Sequence, residues 1–217
     1  MKHSSSLLLA FIVSATSAFS QQSPKSALTL RAGVATLQGE TTSDNLFGSI
    51  GPEVGIVYSY SMKNEQWAAT AEVTHSIVNA SLNFTGDGSS SNLETQVAQT
   101  YFGVGIRHIL NPSINEYKPY AGQFLPYIGI GVGAIKTSND IDLDTDKLGG
   151  YTLHQESTMD FTASAEFGFI IVLSKHWAID AYTGGRTGGT DSWDGFSGSG
   201  DGNDWLIHGG LGLQYHF

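Results

Sequence analysis

Eight stretches of this chain alternate apolar and polar residues with a period of two, the spacing of a strand whose two faces meet different surroundings. In LTLRAGVAT, Leu28, Leu30, Ala32 and Val34 oppose Thr29, Arg31 and Gly33. IGPEVGIVYSY sets Val54, Ile56, Tyr58 and Tyr60 against Glu53 and Ser59, and WAATAEVTHSI sets Trp67, Ala71 and Val73 against Glu72, Thr74 and Ser76. YFGVGIRHIL, LPYIGIGVGAI, FTASAEFGFIIVL and WAIDAYTGGR follow the same rule, with Arg107, Tyr127, Glu166, Asp180 and Arg186 on the polar side. The eighth run, WLIHGGLGLQYHF, keeps the alternation through Leu211, Leu213, Tyr215 and Phe217, opposite His208, Gln214 and His216. Strands of about 9 to 13 residues, joined alternately by short turns and by long Gly/Ser/Asp loops such as FTGDGSSSN, are the pattern of a transmembrane β-barrel. The fold expected is all-β, an eight-stranded antiparallel up-and-down transmembrane β-barrel. Its last strand pairs with the one beginning near Leu28, so that no sheet edge is left in hydrocarbon.

Composition narrows the alternatives. Glycine is abundant at 27 and proline scarce at 5, a balance that suits closely paired extended backbone and weakens helices. The net charge of -10 makes nucleic acid and anionic surfaces poor partners for the chain as a whole. With no cysteine there is neither a disulfide framework nor a thiolate metal site. The amino-terminal segment MKHSSSLLLAFIVSATSAFSQQ combines the basic Lys2, an apolar run from Leu7 to Val13 too short to span a bilayer, and the small-x-small triplet Ala18-Phe19-Ser20. It is expected to be a signal peptide, residues 1–20, cleaved near Ser20/Gln21, followed by a barrel domain over 21–217. No cysteine adjoins the cut to carry a lipid anchor.

A soluble eight-stranded barrel hides its apolar side and wets its polar one. Here the polar side is small and of mixed sign: Arg31, Arg107 and Arg186 with Glu53, Glu72, Glu166 and Asp180, among Gly, Ser and Thr, and without lysine. A water-facing surface would carry many Lys and Glu. The seven charges are therefore expected inside a narrow barrel, where pairing offsets their desolvation. Aromatic residues gather at strand ends beside the short turns and the termini: Tyr58, Tyr60, Trp67, Trp177, Tyr215 and Phe217. They are expected to form the aromatic girdle at the periplasmic rim, with both termini on that side.

Leu211, Leu213, Tyr215 and Phe217 resemble the C-terminal signature of bacterial outer-membrane barrels, alternating apolar residues closed by an aromatic. The resemblance implies that the barrel assembly machinery reads them as an insertion signal. The chain as a whole is similar to the small eight-stranded barrels typified by the transmembrane domain of outer-membrane protein A. GSIGPEVGIVYSY, PYIGIGVG, AYTGGRTGGTD and NDW before GLGLQYHF further resemble small barrels of Bacteroidota, including one associated with type IX secretion. That narrower likeness implies docking to periplasmic secretion components, for which the two-proline connection from Asn111 to Gln123 is the candidate surface.

Chemistry is sparse. The lipid-deacylating barrels carry an H-x-S pair on one strand face, and the only such pair here, His3-Ser5, lies in the segment to be removed. His75 and Ser76 are adjacent, hence on opposite faces. DIDLDTD places Asp140, Asp142, Asp144 and Asp146 at alternate positions, but without the glycine and distal glutamate of a calcium loop it reads as a solvated acidic segment. No metal, cofactor or catalytic residue is expected. The function expected is a non-catalytic structural or interaction barrel of the outer membrane, surrounded by lipid and lipopolysaccharide. A secretion component, a lipid-processing enzyme and a narrow pore gated by the interior ion pairs are the alternatives.

Overall fold

The computed structural model describes residues 25–38, 49–62, 66–86, 89–110, 122–140, 152–153, 157–189, 193, 196–197 and 204–217. Among them, eight strands form the barrel: β1 (Ser26–Gln38), β2 (Gly51–Ser61), β3 (Trp67–Gly86), β4 (Ser89–Ile109), β5 (Phe124–Asp140), β7 (Thr158–Val172), β8 (Trp177–Gly188) and β10 (Trp205–His216). Each is antiparallel to its neighbours in the chain, and β1 closes on β10. The closing ladder runs from Ala27 opposite His216 to Gln38 opposite Trp205. It is carried to the final residue, where the Phe217 amide donates to the Ser26 carbonyl at 2.9 Å. No backbone edge is left between the first strand and the last.

The phase of the alternation sets which side chains face out. Leu30, Val54, Phe102, Val104, Ile130, Val132, Phe161 and Leu211 all point away from the barrel axis and are exposed. Water would not tolerate so continuous an apolar belt, since soluble monomers seldom expose patches above a few hundred Å². Hydrocarbon would. Leu211, midway along β10 and 62 % exposed, gives a direct test. Arginine there is expected to cost about 2–4 kcal/mol of folding free energy in a bilayer, against about 0–1 kcal/mol for Tyr215→Arg at the rim; reversible unfolding of lipid-inserted protein in guanidinium would measure both.

Two expectations from the sequence need correction. FTGDGSSSN is not a loose loop: β3 continues to Gly86 and β4 begins at Ser89, so most of it is paired strand. Beyond Ser76 on β3 and before Gln96 on β4 the described strands pair only with each other, and this hairpin stands past the rest of the barrel. Strand lengths accordingly reach 20 and 21 residues in β3 and β4. Gly/Ser/Asn composition signals flexibility, yet the backbones of 83–86 and 89–92 continue the β3–β4 ladder. The second correction concerns two further short strands, β6 (Thr152–Leu153) and β9 (Phe196–Ser197), which pair with each other between two long connections. Residues 1–20, expected to be a signal peptide, and the 111–121 connection lie outside the described residues, as do Asp142, Asp144 and Asp146. The backbone of Asp140 ends β5.

Candidate functional site

The interior of an eight-stranded barrel is just wide enough to be filled by side chains. Here it is filled in three layers. At the rim where β1 begins and the chain ends at Phe217, Leu125, Tyr127, Ile170, Val172 and Ala178 pack together, with Ile109 against them. At the opposite, loop-side rim, Ala35, Leu37, Val78, Val97, Tyr101, Ile135 and Leu206 form a second apolar layer around Trp193. The charged residues lie between the two.

In the middle layer Arg31 reaches across the lumen. Its guanidinium donates to Glu166 at 2.5 and 2.9 Å and to Asp180 at 2.7 and 3.1 Å. Tyr127 donates to the other oxygen of Asp180 at 2.8 Å, and Arg107 donates to Glu166 at 3.2 Å. A second cluster centres on Arg186, which donates to Glu53 at 3.0 Å and to Glu72 at 2.7 Å. His208 Nδ1 stands 3.0 Å from Glu53. All seven charges expected inside are thus placed inside; Arg31, Glu53, Arg107, Asp180 and Arg186 are fully buried, whereas Glu72 and Glu166 are half-buried. Three guanidiniums face four carboxylates, with the His208 ring beside Glu53.

Four members of this network lie outside the seven charges expected to form the interior cluster: Tyr101, Tyr127, Tyr182 and His208. Each arginine lies over one tyrosine ring, Arg31 on Tyr182 and Arg107 on Tyr127 at 4.0 Å, and Arg186 on Tyr101 at 4.4 Å. Stacking of a guanidinium on an aromatic face is favourable, more so when desolvated. The rings have room because the wall beneath them lacks side chains. A Cβ on Gly103 or Gly133 would overlap the Tyr101 ring, and one on Gly168 would meet the Tyr127 hydroxyl at 2.5 Å. The signal was present in the sequence: Tyr101, Tyr127 and Tyr182 are each followed two positions later, on the same face, by glycine.

The remaining space is small. A cavity beside Glu72, Tyr101, Arg107 and Glu166 measures about 30 Å³ and another near Ser59, Arg107 and Gln214 about 40 Å³. Neither is larger than a few water molecules could fill. Described His, Asp and Glu side chains form no cluster of three that could hold a metal ion. His75 is exposed on the outside of β3 and Ser76 buried on the inside, so the two cannot act on one substrate.

The other sites read from the sequence fall at the rims. Tyr58, Tyr60 and Trp177 are exposed and Trp67, Tyr215 and Phe217 half-buried, all at the terminus-bearing end. Four of them form a chain of ring contacts: Trp177 lies edge-on to Tyr215 at 4.9 Å, and Phe217 is 6.2 Å from Tyr215 and 6.4 Å from Tyr58, while Trp67 stacks on His108 at 4.3 Å. Leu211 and Leu213 share the outward face of β10 with these aromatics.

An apolar exterior, a closed antiparallel ladder and a lumen packed with paired charges define a small outer-membrane-type β-barrel. The structure is similar to that of Neisserial surface protein A, with a TM-score of 0.58 at 13% identity over 89% of this chain and 97% of that one. OprG of Pseudomonas aeruginosa aligns over 91% of this chain and 99% of its own at 17% identity and a TM-score of 0.49. Ail, the attachment invasion locus protein of Yersinia pestis, solved with the heparin analogue sucrose octasulfate, aligns over 90% and 100% at 13% identity and a TM-score of 0.47. No family model matches the chain, and no curated protein does. The likeness is one of fold.

Proposed function

We propose that this protein is a closed, non-catalytic barrel of the outer membrane, a rigid support that holds its long connections at one membrane surface and its short turns at the other. The observation that carries this reading is the filled lumen among the described residues: apolar layer, ion-paired layer, apolar layer, with small cavities of about 30 and 40 Å³ beside them. A pore needs a continuous water path, and eight strands packed in this way leave none among the described residues. Lipid and lipopolysaccharide are its surroundings, the terminus-bearing rim is its periplasmic side, and the Leu211 to Phe217 strand is its signal to the assembly machinery.

Planar bilayers test the closed-lumen reading. Neither the wild type nor Arg107→Ala is expected to give conductance steps, because removing one guanidinium leaves both apolar layers in place. Regular steps from folded wild-type protein would establish a pore instead. The narrower role, as an outer-membrane component of type IX secretion, rests on four glycine-rich stretches of resemblance. Affinity purification from native membranes checks it: co-purified periplasmic secretion proteins support it, and a barrel recovered alone removes it.

A further inference from the structure

Arg107 is the least satisfied of the three lumen arginines. It is fully buried, yet among the described residues it makes one hydrogen bond, from Nη2 to Glu166 at 3.2 Å. That carboxylate is already held by Arg31 at 2.5 and 2.9 Å. A guanidinium carries five N–H donors and stays charged, so a buried one with most of its donors unused calls for a further acceptor. None of the Arg107 nitrogens is sealed in protein without a partner. The N–H groups that Glu166 does not take therefore face open space.

That space includes the cavity of about 40 Å³ that reaches from Arg107 to Ser26 and Ser61, where β1 begins and β2 ends. Gln214 and Ser59, both buried, line it as well, and the exposed Lys25 stands at its outer end. Gln214 is 3 % exposed and its side chain makes no hydrogen bond among the described residues. Its Oε1 is sealed in protein and its Nε2 is not, so the amide turns its donor end to the cavity. No described lining residue is a carboxylate. The other cavity that Arg107 borders, of about 30 Å³, differs in having Glu72 and Glu166 on its wall.

We propose that the terminus-side cavity is a binding site for a small monovalent anion of halide size. The unused N–H groups of Arg107, the Nε2 amide of Gln214 and the Ser59 hydroxyl hold it, and it enters past Lys25 from the terminus-bearing rim. Charge favours an anion over water alone. The excess carboxylate of the lumen belongs to the Arg186 cluster, on the loop side, whereas Arg31 and Arg107 are balanced by Glu166 and Asp180. Lys25 then leaves this end positive. A space of about 40 Å³ admits a few water-sized particles, enough for one halide with part of its hydration shell.

Crystals of the whole protein, folded in a neutral detergent and soaked in sodium bromide, test the site by anomalous diffraction at the bromine edge. A bromide peak within hydrogen-bonding distance of the Arg107 guanidinium is the expected result, and water alone at that place would overturn the site. This arm needs no variant. In solution, wild-type protein is expected to broaden the NMR line of chloride, and added bromide to reverse the broadening. Gln214→Glu brings a carboxylate into the cavity beside Arg107 and is expected to lower the broadening more than about tenfold, through repulsion between unit charges a few ångströms apart. Ser59→Asp brings the same charge from β2 and serves where Gln214→Glu does not give the heat-dependent gel shift of a folded barrel. Lys175→Gln, on the same rim but outside the cavity, is expected to leave the broadening unchanged. Equal broadening by wild type and the carboxylate variant, or an equal loss in Lys175→Gln, would mean that chloride gathers at the rim without entering, and would remove the site.

Discussion

Replacing Arg31 with alanine is expected to destabilise the folded barrel by about 3–5 kcal/mol, the cost of leaving buried charge without its partner. The side chain is 1 % exposed and holds Asp180 and Glu166 together. Without it, Asp180, itself 0 % exposed, keeps only the Tyr127 hydroxyl, and Glu166 keeps only Arg107. Water has little access to replace the lost donors. Arg31 also loses its stacking on Tyr182. Glu72→Gln provides the contrast, because the Glu72 side chain is 18 % exposed and Arg186 retains Glu53 when it is gone; about 1 kcal/mol or less is expected there. Guanidinium unfolding of lipid-inserted protein, followed by the heat-dependent gel shift of folded barrels, measures both. A loss below about 1 kcal/mol for Arg31→Ala would mean that the layer is wetter than its burial indicates.

Strand phase was legible before any coordinates because it depends on one physical fact, that neighbouring side chains on a strand point to opposite faces. Every outward and inward residue named from the eight runs lies on the face assigned to it, from Leu30 and Arg31 in β1 to Leu213 and Gln214 in β10. Strand ends were less legible. Ser89 to Asn92 carry no apolar alternation, yet they pair with β3 because the hairpin register continues past the barrel. The site was half legible. Charged residues on a narrow inner wall announce a network, but which partner each finds depends on registers among non-adjacent strands: Arg31 on β1 meets Glu166 on β7 and Asp180 on β8. The abundance of glycine was read as a sign of close strand pairing. Its inner-face positions have a second cause, since Gly103, Gly133 and Gly168 clear the space in which the tyrosines lie beneath the guanidiniums.

Trp193 could not have been placed from the sequence, because DSWDGFSGSGDGND has the composition of an exposed loop. Its indole is nevertheless fully buried at the loop-side mouth, against Leu37, Val78, Ile135 and Leu206. Its backbone amide donates to Asp204 at 2.6 Å, and the ring lies so near Gly188 that a Cβ there would stand 2.6 Å from it. Burial of so large an apolar ring outweighs the entropy of ordering one loop residue, which is about 1–2 kcal/mol. Trp193→Ala is therefore expected to cost about 3–5 kcal/mol, as for other buried tryptophans. Trp193→Phe is expected to cost less than about 1.5 kcal/mol: it keeps most of the ring and removes an indole N–H that has no partner among the described residues. Conductance separates a seal from a gate. If Trp193 only completes the apolar layer, the alanine variant stays silent in planar bilayers, because Arg31, Arg107 and Arg186 still fill the lumen below. Current from Trp193→Ala alone would show that the mouth, and not the charged layer, is what closes the barrel.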